Sequence, residues 1–196
     1  MKATPKRPIQ QVRWFLLPCL GMLGPLLPAA EVQQVDVHHE AKQYRLHVVS
    51  RTEVPPEAVW ALLVDYKHLD RLHPLVREST LLESTPDGVA RVSVQMHPCV
   101  FVFCLDLTQI VAFRAIATGH LVADFDQKGG DFRRGRLRWR LRSDPRGGTR
   151  LVFDAELEPS FWIPPLIGPW ILKRALRNTA TELVGNLERL SEAHRP

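Results

Sequence analysis

The alternation of apolar and polar residues along the chain sorts it into a run of strands closed by one long helix. From Gln43 to Val54, Tyr44, Leu46 and Val48 fall on one side and Arg45, His47 and Arg51 on the other, the period of a half-buried strand. Pro55 and Pro56 end it. Pro56 suits the first turn of a helix, and Val59, Trp60, Leu62 and Leu63 give that helix an apolar face up to Asp65. A second short helix or turn carries Tyr66, Leu69, Leu72 and His73 as far as Pro74. Strands are then expected at 76–83, 89–96, 100–113 and 120–125. The clearest alternation follows: Leu137, Trp139 and Leu141 interleave with Arg136, Arg138, Arg140 and Arg142, then Leu151, Phe153, Ala155 and Leu157 with Arg150, Asp154 and Glu156. These two runs read as a hairpin, with acids facing arginines.

The last stretch changes period. Leu172, Leu176, Ala180, Leu183, Leu187 and Leu190 recur at steps of three and four, the stripe of an amphipathic helix. From Pro169 to Ala193 that helix would be roughly 37 Å long at about 1.5 Å per residue. Only a broad partner can cover such a stripe, and the strands supply one. The predicted fold is α+β: a curved antiparallel sheet of about seven strands wrapped around the C-terminal helix, with two short helices after the first strand and an apolar hollow between sheet and helix.

Charge and the N-terminus alter the picture of the whole chain. The formal net charge is +5 over 196 residues, but Lys2, Lys6, Arg7 and Arg13 stand in the first 30 residues with no acid. The mature domain is thus near neutral, and charge gives no case for nucleic acid. The basic stretch, the apolar run Trp14–Leu27 and then Pro28, Ala29 and Ala30 have the layout of a secretory signal peptide. The expected organisation is a signal peptide over 1–30, a loose segment over 31–42 and one domain over 43–194. The protein is expected to be exported, to the periplasm, with an uncleaved N-terminal anchor as the alternative. Cys99 and Cys104 are five residues apart in an apolar run; extended, that is about 16 Å, so buried free thiols are expected rather than a disulfide.

Catalytic signatures are lacking. The eight histidines include no His-Glu-x-x-His pattern, there is no nucleophile elbow, and Gly129, Gly130 and Gly135 read as turn residues. Asp124 and Asp126 read as solvated acids, and the arginine-rich strand as a wet face that could also meet lipid phosphates. No metal or cofactor is implied.

Four stretches resemble the START-like (helix-grip, Bet v 1-like) superfamily, in its polyketide cyclase/dehydrase and lipid-transport branch with the coenzyme Q-binding relatives. They are Val54-Pro55-Pro56-Glu57-Ala58-Val59-Trp60 running into Val64-Asp65-Tyr66, Leu69 to Val76, Phe132-Arg133-Arg134-Gly135 with Arg138 to Leu141, and the final helix after Trp162-Ile163-Pro164-Pro165. The resemblance spans about residues 43–193 and implies a cavity for apolar ligands. The leader is a departure from the intracellular members, which puts their roles in quinone handling or polyketide assembly in doubt here.

The function expected is non-catalytic binding of a lipid, sterol-like or quinone-like molecule, as carrier or sensor. The candidate ligand-binding residues are Leu72, His73, Val94, Met96, Phe103, Leu105, Phe125, Trp139, Phe153, Trp170 and Arg174. The apolar stretch Phe161–Trp170, with the arginine-rich strand, is the candidate membrane-surface contact. Two alternatives stand beside this: an aromatase/cyclase- or dehydratase-type enzyme using His73, Arg71 or Arg174, and an envelope interaction protein with a vestigial cavity.

Overall fold

The computed structural model describes residues 31–100, 102–163 and 169–193; the leader, Phe101 and the stretch 164–168 lie outside them. Among the described residues, ten strands and three helices follow one another. Strands β1 (Glu31–Glu40) and β2 (Gln43–Thr52) precede helices α1 (Pro56–Leu63) and α2 (Leu69–Leu72). Then come β3 (Val76–Ser84), β4 (Val89–Met96), β5 (Cys99–Val100), β6 (Phe103–Cys104), β7 (Leu107–Ala117), β8 (His120–Gly130), β9 (Phe132–Ser143) and β10 (Thr149–Pro159), and last α3 (Pro169–Ala193). Eight strands form one curved antiparallel sheet in the order β1-β2-β10-β9-β8-β7-β4-β3, and β5 and β6 form a separate two-stranded hairpin. The α+β fold, with a sheet gripping the long final helix, is the one expected.

The sheet has eight strands, one more than expected. Glu31–Glu40 is not loose: it pairs with β2 along its whole length, with one register shift between Val32 and Gln34. That shift brings Val35 and Val37 opposite Val48 and Leu46, and Val35 is buried. The turn between β1 and β2 places Ala41 at φ 54°, a left-handed conformation normally given to glycine or asparagine. The run 100–113 is also not one strand. Pro98 cannot continue a ladder, and the chain doubles back as β5–β6, where Cys99 faces Cys104 with Cα atoms 4.1 Å apart in a disulfide. Both cysteines are exposed. The expectation of buried thiols fails because it assumed an extended segment. Gly130 and Gly135 lie in strands rather than turns. A Cβ at Gly135 would sit 2.2 Å from the Phe125 ring, so glycine there lets the ring lie flat on the sheet.

Two apolar clusters fill the concave side. One joins Leu69 to Ala90, Val92, Val94, Val111, Phe113, Leu121 and Ala123. The other joins α1 (Val59, Leu63), Leu72, Leu141 and Leu151 to Leu187 of α3. Polar contacts pin the helix in place: Asn186 Nδ2 donates to the Leu72 carbonyl at 2.9 Å and Thr52 Oγ1 to Glu188 at 3.1 Å near its C-terminal end. Nearer its start, Arg177 donates to the Val32 carbonyl at 3.1 Å and Lys173 pairs with Asp36 at 3.5 Å.

The convex side carries the arginines. Arg136 bonds Asp124 at 2.6 Å, Arg138 bonds Glu156 at 3.2 Å, and Arg140 meets Asp154 at 2.5 Å, with His47 on the same carboxylate at 2.7 Å. Asp126 bonds Arg91 at 2.9 Å. Partial burial raises the Asp154 pKa, but the bonds from His47 and Arg140 outweigh it and hold the carboxyl below its usual value. Asp124 and Asp126 are thus ion-pair partners, and Arg91, Arg136, Arg138 and Arg140 are neutralised across the strands.

Candidate ligand cavity

The stripe on α3 divides in two. Toward the C-terminus, Val184 and Leu187 are fully buried, and Leu187 belongs to a packed core cluster. Toward the N-terminus, Leu172, Leu176, Ala180 and Leu183 of the same stripe, with Thr179, face a cavity of about 430 Å³, within the roughly 300–1,000 Å³ range of small-molecule sites. The opposite wall is the concave sheet, whose alternate residues point inward. Leu46, Val48 and Ser50 come from β2, Leu151, Phe153 and Leu157 from β10, Leu137 and Trp139 from β9 and Phe125 from β8. Pro98, Phe103 and Leu105 around the β5–β6 hairpin, and Phe161, Trp162 and Ile163 after β10, complete the lining.

Aromatic rings order the wall. Trp139 packs on Phe153 with centroids 5.2 Å apart, and Phe125, Phe132 and Phe161 form an edge-to-face chain at 5.3 and 5.5 Å. Among the described residues, the wall holds no carboxylate, lysine or arginine. An ionised ligand would lose its hydration without a counter-charge, so the cavity suits neutral, mainly apolar molecules. Its polar groups are few: Tyr44, Ser50, His73 and Thr179. Burial raises the Tyr44 pKa and keeps the phenol neutral. Burial also pushes His73 down to about 4, so its ring is neutral at pH 7. The Leu75 N–H donates to His73 Nδ1 at 3.3 Å. The proton of the neutral ring therefore sits on Nε2, leaving that N–H to be offered to a ligand.

Of the candidates drawn from sequence, His73, Met96, Phe103, Leu105, Phe125, Trp139 and Phe153 line this space. Leu72 and Val94 are buried in the two packed clusters instead. Trp170 and Arg174 lie on the exposed side of α3, angularly apart from the Leu172–Leu176 stripe. Of the three residues considered for catalysis, Arg71 and Arg174 are exposed and outside the wall, and only His73 is in it. The β2 residues and the Thr179–Leu183 face of α3 were not among the candidates, although the alternation of β2 and the helical stripe mark them. In the candidate membrane stretch, Trp162 is 73% exposed and Trp170 is 68% exposed, while 164–168 lie outside the described residues. No described helix is long and apolar enough to cross a membrane. At the edge of the apolar wall, which Cys104 also lines, His97, Cys99 and Cys104 bring three metal-ligating atoms together.

The family model for polyketide cyclase / dehydrase and lipid transport matches residues 52–184. Among solved structures, a START superfamily protein from Mycobacterium smegmatis is similar at 16% identity, with a TM-score of 0.62 over 74% of this chain and 98% of that one. A Thermus thermophilus protein is similar at 18% identity, with a TM-score of 0.58 over 78% and 99%. An aromatase/cyclase from a Streptomyces species is similar at 14% identity, with a TM-score of 0.60 over 78% and 96%. At these identities the likeness is one of fold. No curated protein matches the chain. The match over most of the chain, joined to the sheet-gripped helix, shows that this protein belongs to the polyketide cyclase / dehydrase and lipid transport family.

Proposed function

We propose that this protein binds one neutral, predominantly apolar small molecule, of lipid, sterol-like or quinone-like character, between α3 and the sheet, and carries or senses it without chemistry. The observation that supports this most is the division of the α3 stripe, packed at one end and facing about 430 Å³ of apolar space at the other. Among the described residues, the wall supplies hydrogen-bonding groups but no carboxylate to work with its neutral histidine. Export fits the same reading. The leader has the layout of a signal peptide, and a disulfide between exposed cysteines is suited to an oxidising compartment.

Titration with a hydrophobic fluorescent dye, followed by competition with neutral lipids, sterols and quinones, tests this. Saturable binding of one dye per chain, displaced by one of these classes and quenching Trp139, is the expected result. Absence of saturable dye binding would remove the proposal. A second reading, an aromatase/cyclase-type enzyme, draws on the single observation that His73 stands neutral in the cavity wall. Under it, His73→Ala abolishes a turnover that wild type shows; turnover unaffected by that change would eliminate it.

A further inference from the structure

The β5–β6 hairpin stands apart from the main sheet and carries donors that the apolar cavity does not use. One ring nitrogen of His97 and the sulfurs of Cys99 and Cys104 all lie within 4.8 Å of one another. Tetrahedral zinc, with Zn–S near 2.3 Å and Zn–N near 2.0 Å, sets its donor atoms roughly 3.5–3.8 Å apart. The histidine is also oriented. His97 Nδ1 bonds the Asp106 carboxylate at 2.6 Å, and Arg77 donates to the same carboxylate at 3.1 Å. A carboxylate on Nδ1 holds the proton there and leaves Nε2 as a lone-pair donor, the outer-shell arrangement of metal-binding histidines. Both cysteines are exposed, so a reductant can reach them.

We propose that this hairpin is a redox-controlled metal site: oxidised, it is a closed disulfide; reduced, His97, Cys99 and Cys104 hold one zinc-class cation. Thiolate and imidazole together select such soft or borderline d¹⁰ ions. The reductant is a dithiol. Its two thiols become a disulfide as the Cys99–Cys104 bond breaks, and two electrons and two protons pass to this pair, leaving two thiols. Binding of Zn²⁺ then releases two protons, one from each thiol, while the neutral imidazole gives only a lone pair. Three protein ligands leave the fourth tetrahedral position open to water. Cys104 also lines the cavity, as do its neighbours Phe103 and Leu105, so the metal would sit on a segment of the cavity wall. The site's existence does not depend on what the cavity holds.

The test uses the full chain with Cys19→Ser, so that every thiol counted belongs to this pair. The protein is reduced anaerobically with a dithiol, the reductant is removed, and Zn²⁺ is titrated against a chromophoric chelator. Co²⁺ is titrated in parallel by absorption. Expected are two free thiols, one Zn²⁺ per chain, two protons released, and a thiolate-to-Co²⁺ charge-transfer band, all absent before reduction. Asp106→Asn should weaken Zn²⁺ binding by about 10–100-fold, and His97→Ala, which removes a ligand, by at least as much. The Cys99→Ser/Cys104→Ser double variant, whose urea midpoint checks that it folds, should lose the band entirely. A disulfide that resists the dithiol would overturn the proposal. So would zinc binding that is equal in the oxidised, reduced and double-serine proteins.

Discussion

Replacing Ala180 by leucine puts three carbon atoms into the space between α3 and the sheet, and the sign of the stability change reports whether that space is empty. Ala180 lies on the cavity-facing stripe, between Leu176 and Leu183. At about 0.8 kcal/mol per buried methylene, the added carbons contribute about 2.4 kcal/mol. Fixing the leucine side chain costs about 0.5–1 kcal/mol, and the loss of helix propensity is about 0.2 kcal/mol. The net expectation is a gain of about 1.2–1.7 kcal/mol, read as a higher urea midpoint at unchanged slope. The same substitution should weaken binding of a hydrophobic dye, because it occupies the dye's volume. If sheet and helix interlock, overpacking costs about 1–3 kcal/mol instead. A destabilised Ala180→Leu protein with undiminished dye binding would refute the reasoning.

The two halves of the α3 stripe should respond differently to truncation. Leu187→Ala, in packed core, should cost about 2–5 kcal/mol, whereas Leu176→Ala, facing the cavity, should cost about 1 kcal/mol because few contacts are lost; chemical denaturation reads both. His73 titrates at about 4 when folded and near 6.5 when unfolded, so the unfolded chain takes up the proton first as pH falls. Its contribution is complete above pH 6.5 and lost between pH 6.5 and about 4, by up to about 3 kcal/mol. His73→Asn should flatten that window in a plot of unfolding free energy against pH. The loss linked to Asp154, whose folded pKa is depressed, should remain at more acid pH. Ala41→Gly should stabilise by up to about 1 kcal/mol in thermal unfolding, because relief of a left-handed alanine, about 1–2 kcal/mol, exceeds the added chain entropy, about 0.5–1 kcal/mol.

The periods that were read from sequence were those written in apolar side chains. The stripe Leu172–Leu190 and the alternations of β2, β9 and β10 place the helix and the strands that face it. What escaped was written in backbone geometry. The β1–β2 turn uses Ala41 at positive φ, so no Asn-Gly or Asp-Gly marks the hairpin, and a register shift at Val32–Gln34 breaks the alternation that would have marked β1. The reversal after Pro98 likewise has no glycine, which is why Cys99 and Cys104 read as distant rather than bonded. The cavity wall was legible in part, since inward strand positions such as Trp139 and Phe153 follow from the pleat alone. How far along α3 the packing stops and open space begins was not, because that depends on how strongly the sheet curves. Leu72 and Val94 were misplaced for that reason. Trp170 and Arg174 were misplaced although the stripe itself, through Leu172 and Leu176, sets them on the other side of the helix.

Native mass spectrometry of protein taken from its own compartment, gently purified and then extracted with organic solvent, tests the central claim most directly. The account predicts one neutral, apolar molecule per chain in the native spectrum, present in the solvent extract and diminished in Ala180→Leu. A native mass equal to the bare chain, with the refolded protein taking up no hydrophobic probe, would contradict it.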